Sequence, residues 1–410
     1  MTTESFRPAD AAELVEIVAA SAAAGRSLAV AAGGSKAGLG RPVDAAARLE
    51  LGALTGIVDY QPEELMLTAR PATPLAEVAA LLAGRGQMLA FEPPGLAALC
   101  GAPDAVPTLG GTVAAGLAGP RRIRAGSARD HLLGLEAVSG RGERFKAGAK
   151  VVKNVTGYDL PKLIAGSFGT LALMTEMTLK VLPAPEDAVT LVLPMAAAPA
   201  VAAMARLQAG PLEPTALSWL PAALARAADL PETRDGLLLV RFEGPDGALA
   251  DRVGRAEDSG LGACEAVLDL AHSQKLWSWI AEVVPILAPE AEEVVWRLSV
   301  PPAAGAALLY DAVAGVGARG FIDWGGGLVW LAVPAEAGDD GGATALRALV
   351  ARHGGGHATL MRGPEPLRRR VPVFEPEAPG LAALSERVRQ GFDPLRLLNP
   401  GRMRGEETRP

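Results

Sequence analysis

Apolar and polar positions alternate at helical spacing near the start of the chain. Leu14, Ile17 and Val18 form an apolar stripe. Asp10 and Glu13 have the D-x-x-E spacing of a capping box, so the pattern predicts a helix that begins after Asp10. Apolar runs further along predict strands over 28–31, 48–51 and 65–70 and a helix over 74–83, with Pro74 at its first position.

The second half of the chain repeats one order of elements. The first copy is predicted as strand 189–193, helix 197–208, strands 215–220 and 237–242, helix 246–259 and strand 263–268. After a helix over 276–284, the second copy is strand 294–300, helix 303–315, strands 320–324 and 328–333, helix 343–353 and strand 357–361. Each copy has the β-α-β-β-α-β order of a ferredoxin-like unit, although any stretch of alternating helices and strands can be divided in this way. In the hairpin 323–330, three glycines supply the positive φ of a tight turn.

The length and the distribution of glycine predict more than one domain. The chain has 410 residues, of which 48 are glycine and 33 proline, which suits an α+β protein with many connections. The stretch LKVLPAP, 179–185, closes a glycine-rich region and begins a linker. We therefore expect domains over 1–185 and 186–365, and a segment over 366–410 with a helix over 381–390 that returns to the first domain.

Charge and cysteine content narrow the function classes. The formal net charge of −7 argues against a nucleic-acid-binding protein. The two cysteines, Cys100 and Cys264, are too few for a disulfide framework or an iron–sulfur cluster of the chain's own. The N-terminus has no signal-peptide pattern, and prolines interrupt the most apolar stretch, 190–205. We expect a cytoplasmic protein without a transmembrane segment; docking on a membrane-bound partner stays open.

The stretch VAAGGSKAGLG, 30–40, is typical of a loop that brings its backbone close to an anion. It does not match the G-x-G-x-x-G dinucleotide motif, and Leu39 stands where a P-loop has lysine. Residues 32–36 could still present backbone N–H groups to a pyrophosphate. On its own, the loop is more simply explained as a plain turn between strands.

Four further motifs favour a cofactor-binding role for this loop. They are GQMLAFEPP at 86–94, the glycine-rich stretch 107–138, the stretch 150–183 with GSFGT, and the tail FDPLRLLNPGRM at 392–403. Together with the loop at 30–40 they resemble the FAD-binding domain of the vanillyl-alcohol oxidase/PCMH flavoprotein superfamily, and within it the E subunits of bacterial glycolate oxidases. The resemblance implies a PCMH-type two-part FAD-binding domain with an inserted ferredoxin-like cap that faces the flavin ring.

The resemblance also implies which residues hold the cofactor. The pyrophosphate loop corresponds to Ala32, Gly33, Gly34, Ser35 and Lys36, and the other candidate contacts are Thr108, Leu109, Gly110, Gly111, Thr112, Gly126, Ser127, Arg129, Asp130, Gly166, Ser167, Gly169, Thr170 and Asn399. Each glycine cluster could alternatively be a structural turn. No histidine precedes His131, and Cys100 does not lie in an attachment motif, so we expect non-covalent FAD.

Oxidation of a 2-hydroxy acid needs a base for the hydroxyl proton and a cation for the carboxylate. His357 is the candidate base and Arg362 the candidate anion partner, with a structural histidine as the alternative. His353 lies four residues before His357, but three glycines between them disfavour a metal-binding helix, and no metal is expected. The arginines at 121, 122 and 124 suit either carboxylate recognition or docking of another protein chain.

Two classes of function follow. In the first, the chain is the FAD-binding component of a glycolate oxidase complex that converts glycolate to glyoxylate. It would then pass electrons to two partner chains that the resemblance implies, a sister FAD-linked flavoprotein (the D subunit) and an iron–sulfur protein (the F subunit). In the second, the chain is a self-sufficient FAD-dependent oxidase or dehydrogenase of a 2-hydroxy acid or a sugar. The small number of histidines favours the first.

Overall fold

The computed structural model describes residues 4–148, 158–245, 247–262, 264–287, 293–335 and 338–405. The chain divides into two compact units. Unit 1 comprises Met1–Ala118, Gly126–Ala184 and Pro376–Pro410, and unit 2 comprises Gly119–Ala125 and Pro185–Glu375. No helix within the described ranges is both long and apolar enough to cross a membrane.

The elements are numbered in chain order. The strands are β1 (Glu4–Phe6), β2 (Leu28–Ala31), β3 (Ala47–Glu50), β4 (Ile57–Gln61), β5 (Met66–Ala69), β6 (Gln87–Met88), β7 (Leu132–Ser139), β8 (Arg144–Gly148), β9 (Ala172–Lys180), β10 (Leu182–Pro183), β11 (Asp187–Pro194), β12 (Ala216–Leu220), β13 (Leu237–Gly244), β14 (Ala266–Leu268), β15 (Glu293–Ser299), β16 (Arg319–Asp323), β17 (Leu328–Pro334) and β18 (His357–Arg362). The helices are α1 (Ala11–Ala23), α2 (Leu75–Ala83), α3 (Leu109–Ala114), α4 (Arg122–Ala125), α5 (Ala128–His131), α6 (Leu160–Ile164), α7 (Ala197–Ala209), α8 (Ala222–Ala227), α9 (Leu249–Ala256), α10 (Leu270–Ala281), α11 (Gly305–Val316), α12 (Ala343–Arg352), α13 (Glu365–Arg370) and α14 (Pro379–Phe392).

Unit 1 begins with a small parallel sheet in the order β1-β3-β2, against which α1 packs. Asp10 caps α1 by accepting from the N–H groups of Ala12 and Glu13, as the sequence predicted. The Glu13 carboxylate, however, accepts from the N–H of Ala9 at 2.7 Å, one residue earlier than in a regular capping box. Leu14 and other apolar residues of this layer are fully buried, so the predicted stripe is the core face of the helix.

The rest of unit 1 is a five-stranded antiparallel sheet in the order β4-β5-β9-β7-β8. Its core is built from residues such as Leu67, Leu82 and Met177, and α14 from the end of the chain packs against it through Val388 and Phe392. The sequence did not predict β4. It also placed Pro74 inside the second helix, whereas Pro74 precedes α2 in an extended conformation.

Unit 2 is built on an eight-stranded sheet in the order β14-β11-β13-β12-β16-β17-β15-β18. Each half has the 4-1-3-2 strand order of a ferredoxin-like unit, and the two halves meet where Trp219 of β12 pairs with Ile322 of β16. The predicted double repeat is therefore confirmed; α8, between β12 and β13, is an addition that the sequence did not predict. Alternate residues of the strands, among them Leu191, Val240 and Leu331, bury one face of the sheet against helices of the unit.

Two boundaries and one turn differ from the predictions. Residues 119–125 belong to unit 2, where Ile123 packs against the core of that unit. Residues 366–375, at the beginning of the predicted C-terminal segment, also belong to unit 2, and Val371 and Val373 are buried there. In the hairpin, Gly325 and Gly326 have positive φ, whereas Gly327 does not. The third left-handed residue is Trp324, with a φ of 52°.

Candidate functional site

The predicted pyrophosphate loop lies against the segment before α3. Gly34 forms a parallel β-bridge with Val106. Its φ of 80° is a backbone conformation that residues other than glycine rarely adopt. A Cβ on Gly33 would lie 1.9 Å from the carbonyl oxygen of Val106. Gly33 is thus required by the packing of two chain segments, whereas Gly34 is required by the shape of the loop.

Lys36 places a positive charge at this loop. Its Nζ donates to Ser35 Oγ at 3.1 Å and to the carbonyl of Gly95 at 3.2 Å. A Cβ on Gly111 would be 3.7 Å from Lys36 Cδ, so the first and second predicted strips are neighbours. A lysine beside two glycine strips suits a diphosphate, because it supplies charge while the glycines leave space.

Two of the predicted residues in the second strip have other roles. Leu109 is fully buried in the core of unit 1. Thr112 is fully buried too, and its hydroxyl donates to the carbonyl of Thr108 within α3 at 3.1 Å. The Thr108 Oγ1 accepts from the N–H of Gly111 and caps the helix.

The turn 166–170 packs against the end of α3. The N–H of Gly166 donates to the carbonyl of Val113 at 3.0 Å, and the N–H of Phe168 donates to that of Ala114 at 2.8 Å. Ser167 is 5% exposed, and its Oγ has no hydrogen-bond partner within the residues that the structure describes. A buried hydroxyl without a partner is costly, so this atom fits a hydrogen bond to a bound group.

Asn399 joins the C-terminal tail to two of these segments. Its Oδ1 accepts from the N–H of Val30 in β2 at 2.8 Å, and its Nδ2 donates to the carbonyl of Phe168 at 2.9 Å. Arg402 then donates to the carbonyl of Lys36 at 3.0 Å. Because both ends of its amide are occupied by main chain, Asn399 is suited to positioning the loops rather than to contacting a ligand.

The third predicted strip, 126–130, is organised by a capping box. The N–H and the Oγ of Ser127 both donate to the Asp130 carboxylate, at 2.8 and 2.9 Å. The hydrogen bond from the Ser127 N–H is the main cause that lowers the pKa of Asp130. A Cβ on Gly126 would lie 2.8 Å from Asp130 Oδ2, and Arg129 is exposed. The local hydrogen bonds account for Gly126, Ser127 and Asp130 as a structural turn.

The candidate catalytic residues lie at opposite ends of β18 in unit 2. His357, at its start, pairs with Ser299, and Arg362, at its end, pairs with Val295 beyond a β-bulge. The two positions are five steps apart along the strand, which is ~16 Å at the usual rise per residue. The structure therefore does not bring this histidine and this arginine together.

His353 and His357 also have different environments. The Nε2 of His353 is 2.7 Å from Asp311 Oδ2 and the ring is largely buried, whereas His357 is exposed. Within the described ranges, no group of three or more histidine, cysteine, aspartate or glutamate residues could hold a metal ion. His131, in unit 1, packs on Phe91 with ring centroids 5.4 Å apart, and the exposed His272 pairs with Asp269.

The three neighbouring arginines of residues 119–125 divide by partner. Arg121 is buried and forms an ion pair with Glu243 of β13. Arg124 pairs on the surface with Glu213. Arg122 instead lies over the ring of Trp324, with its Cζ 4.3 Å from the ring centroid.

Arg297 lies over the same ring and was not among the residues predicted from the sequence. Its Cζ is 4.9 Å from the centroid of the Trp324 ring. A signal was present in the sequence, since Arg297 is a charge in the middle of the apolar strand EVVWRLS. Its proximity to Trp324 could not be anticipated, because it depends on the pairing of β15 with β17 and of β17 with β16.

The comparisons with known proteins agree with the fold. Residues 5–148 match a family described as FAD binding domain. The chain is 34% identical to glycolate oxidase subunit GlcE of Escherichia coli (strain K12) over 373 residues, which is 91% of each chain. It is 33% identical to glycolate oxidase subunit GlcD of Bacillus subtilis (strain 168) over 135 residues, 33% of this chain and 27% of GlcD. The crystal structure of p-cresol methylhydroxylase with substrate bound superposes with a TM-score of 0.76 at 14% identity, covering 99% of this chain and 89% of that one.

Proposed function

The chain belongs to the family of FAD-linked oxidoreductases that contains glycolate oxidase subunit GlcE, and on this basis we propose that it is the FAD-binding component of a complex that oxidises glycolate to glyoxylate. The observation that carries the proposal is the similarity to GlcE along nearly the whole chain. It is supported by the convergence of the loop at 32–36, the strip at 108–112 and the turn at 166–170 in unit 1.

The residues of unit 1 fit FAD. Gly34 gives the loop its positive-φ backbone conformation, and Lys36 provides a positive charge for the diphosphate. Ser167 provides a buried hydroxyl that has no other partner in the described part of the chain. Bound FAD would supply the acceptor for the hydride that leaves the carbon bearing the substrate hydroxyl. In the same proposal the cofactor is held without a covalent bond.

His357 remains the candidate base for the substrate hydroxyl. Its ring is exposed, and neither nitrogen has a hydrogen-bond partner among the residues that the structure covers. His131, His272 and His353 each already contact a protein group. A base that takes the hydroxyl proton must be reachable by substrate, which favours His357.

The proposed partners follow from where the electrons must go. With only two cysteines, the chain cannot ligate an iron–sulfur cluster of its own. From the similarity to glycolate oxidase subunits we assign electron transfer to a sister FAD-linked flavoprotein, the D subunit of the complex, and to an iron–sulfur protein, its F subunit.

Ser167→Ala is expected to separate cofactor binding from folding. Removing an unpartnered buried hydroxyl should leave the apoprotein as stable as before or slightly more so, while FAD affinity falls by about fivefold to tenfold. The measurement is flavin titration followed by fluorescence, together with thermal unfolding of the apoprotein. Thr175→Val is the matched control, because Thr175 Oγ1 is also buried without a partner in the described part but lies in β9, outside the predicted loops. Equal FAD affinity in wild type and Ser167→Ala would exclude Ser167 from the cofactor site.

The proposed function is tested by purifying the chain alone and together with the flavoprotein and iron–sulfur partners. We expect a yellow protein whose flavin is released entirely by acid precipitation. Anaerobic glycolate should bleach the flavin spectrum of the complex, and repeated turnover should require the partner chains. Repeated turnover of glycolate by the chain alone would show a self-sufficient oxidoreductase instead, and a colourless chain that cannot be reconstituted with FAD would contradict the proposal.

A further inference from the structure

Unit 2 contains two arginines that share one aromatic ring and have no acidic partner in the described ranges. The guanidinium carbons of Arg122 and Arg297 lie 4.3 and 4.9 Å from the centroid of the Trp324 ring, which puts them within about 10 Å of each other. No carboxylate among the described residues forms an ion pair with either. Arg121 and Arg319 of the same unit differ in this respect, since Arg121 pairs with Glu243 and Arg319 with Glu293.

This arrangement is electrostatically incomplete. Burial, and secondarily the charge of Arg122, lowers the pKa of Arg297 to about 10, so the side chain stays charged at neutral pH. A half-buried charge beside a second charge of the same sign is unfavourable, and the contact with one indole ring offsets only a part of that cost. An anion within hydrogen-bonding reach of the guanidinium groups would supply the missing counter-charge.

Trp324 is held in place by its own constraints. It is 6% exposed, its Nε1 donates to the carbonyl of Gly119 at 3.0 Å, and its φ is 52°. A bulky residue in the left-handed region costs free energy and persists only where the surrounding structure fixes it. The hydrogen bond also ties the segment that carries Arg122 to the hairpin after β16, so the two arginines are positioned by one rigid residue.

The neighbouring strand β18 adds a side chain, His357, that can accept a hydrogen bond from a substrate hydroxyl group. Arg297 pairs directly with Thr359 of β18, and His357 lies two residues from Thr359 on the same face. Such diagonal neighbours have Cα atoms ~7–8 Å apart. The side chains of His357 and Arg297 therefore start from diagonal positions on one face of the sheet.

We infer that Arg297 and Arg122, arranged on Trp324, bind the carboxylate of a small 2-hydroxy acid whose hydroxyl group is directed to His357. The inference deepens the proposed function and rests on it for the choice of a hydroxy acid as ligand. Two forked guanidinium groups suit a planar carboxylate, which accepts hydrogen bonds through two oxygens.

Calorimetric titration of the full FAD-loaded chain with glycolate tests this inference. We expect Arg297→Gln and Arg122→Gln each to weaken glycolate binding about tenfold or more. Arg124→Gln is the matched control in the same segment, because Arg124 is exposed and pairs with Glu213, and its affinity should stay within about twofold of wild type. Arg122 is exposed as well, so its variant keeps the test informative if Arg297→Gln folds poorly. Thermal unfolding gives a further readout: removing the unpaired charge of Arg297 should leave the melting temperature unchanged or raise it.

The outcomes separate this inference from the proposed function. Wild-type glycolate affinity in both glutamine variants would overturn the inference while leaving the FAD-binding role intact. Inorganic phosphate that competes as well as glycolate would overturn the assignment to carboxylates. A chain that takes up no FAD would contradict the proposed function whatever the arginine variants show.

Discussion

Gly33→Ala is expected to abolish FAD binding and to destabilise unit 1 by about 3 kcal/mol or more. The added Cβ would lie 1.9 Å from the carbonyl oxygen of Val106 and 2.8 Å from a methyl group of Thr108. The first neighbour is main chain and cannot rotate away, so the two segments must separate. Separation breaks the bridge between Gly34 and Val106, which fixes the loop before Lys36.

Gly52→Ala provides the matched control for this substitution. Gly52 has no positive φ, and a Cβ there would meet no atom within 4 Å. Flavin absorbance per polypeptide and urea unfolding should be near wild type for Gly52→Ala and strongly reduced for Gly33→Ala. A Gly33→Ala protein that binds FAD normally would show that the two segments do not approach as closely as described.

The larger elements could be predicted because their signal is local. The stripe that contains Leu14 and Val18 gave α1, and the alternating apolar strands of unit 2 gave both βαββαβ units. A helix or strand that buries one face repeats its apolar residues at a fixed period, whatever its distant neighbours are. β4 escaped prediction because its residues are only partly buried and its alternation is weak.

The structural roles of individual residues could not be predicted from local sequence patterns, because these roles depend on contacts with residues far apart in the chain. The glycines of the loop suggested close approach of an anion, yet the neighbour of Gly33 is Val106 and that of Gly110 is Pro71. The arginines around 121–124 looked equivalent in sequence, but Glu243 neutralises the first and Trp324 lies under the second. Both distinctions arise only when strands far apart in the chain have paired.

Asn399 also depends on distant partners, since it is hydrogen-bonded to Val30, 369 residues earlier in the chain. Its substitution is the second large effect that we expect. Asn399→Ala should destabilise unit 1 by about 3–5 kcal/mol, because the side-chain hydrogen bonds to the Val30 N–H and the Phe168 carbonyl would both be lost. Alanine would in addition have to adopt the left-handed conformation of Asn399, whose φ is 44°. The tail that carries Arg402 would then loosen from the loop at Lys36, and FAD affinity should fall with it.

Asn399→Gly separates these two causes. Glycine adopts the left-handed conformation readily but forms neither side-chain hydrogen bond, so it should be less destabilising than alanine by about 1 kcal/mol while still well below wild type. Urea unfolding of the three proteins gives the stabilities, and flavin titration shows whether FAD affinity follows them. If alanine and glycine were equally destabilising, the left-handed backbone would contribute nothing. If neither differed from wild type, Asn399 would not be holding β2 to the turn 166–170, and the positioning role inferred for the tail would be wrong.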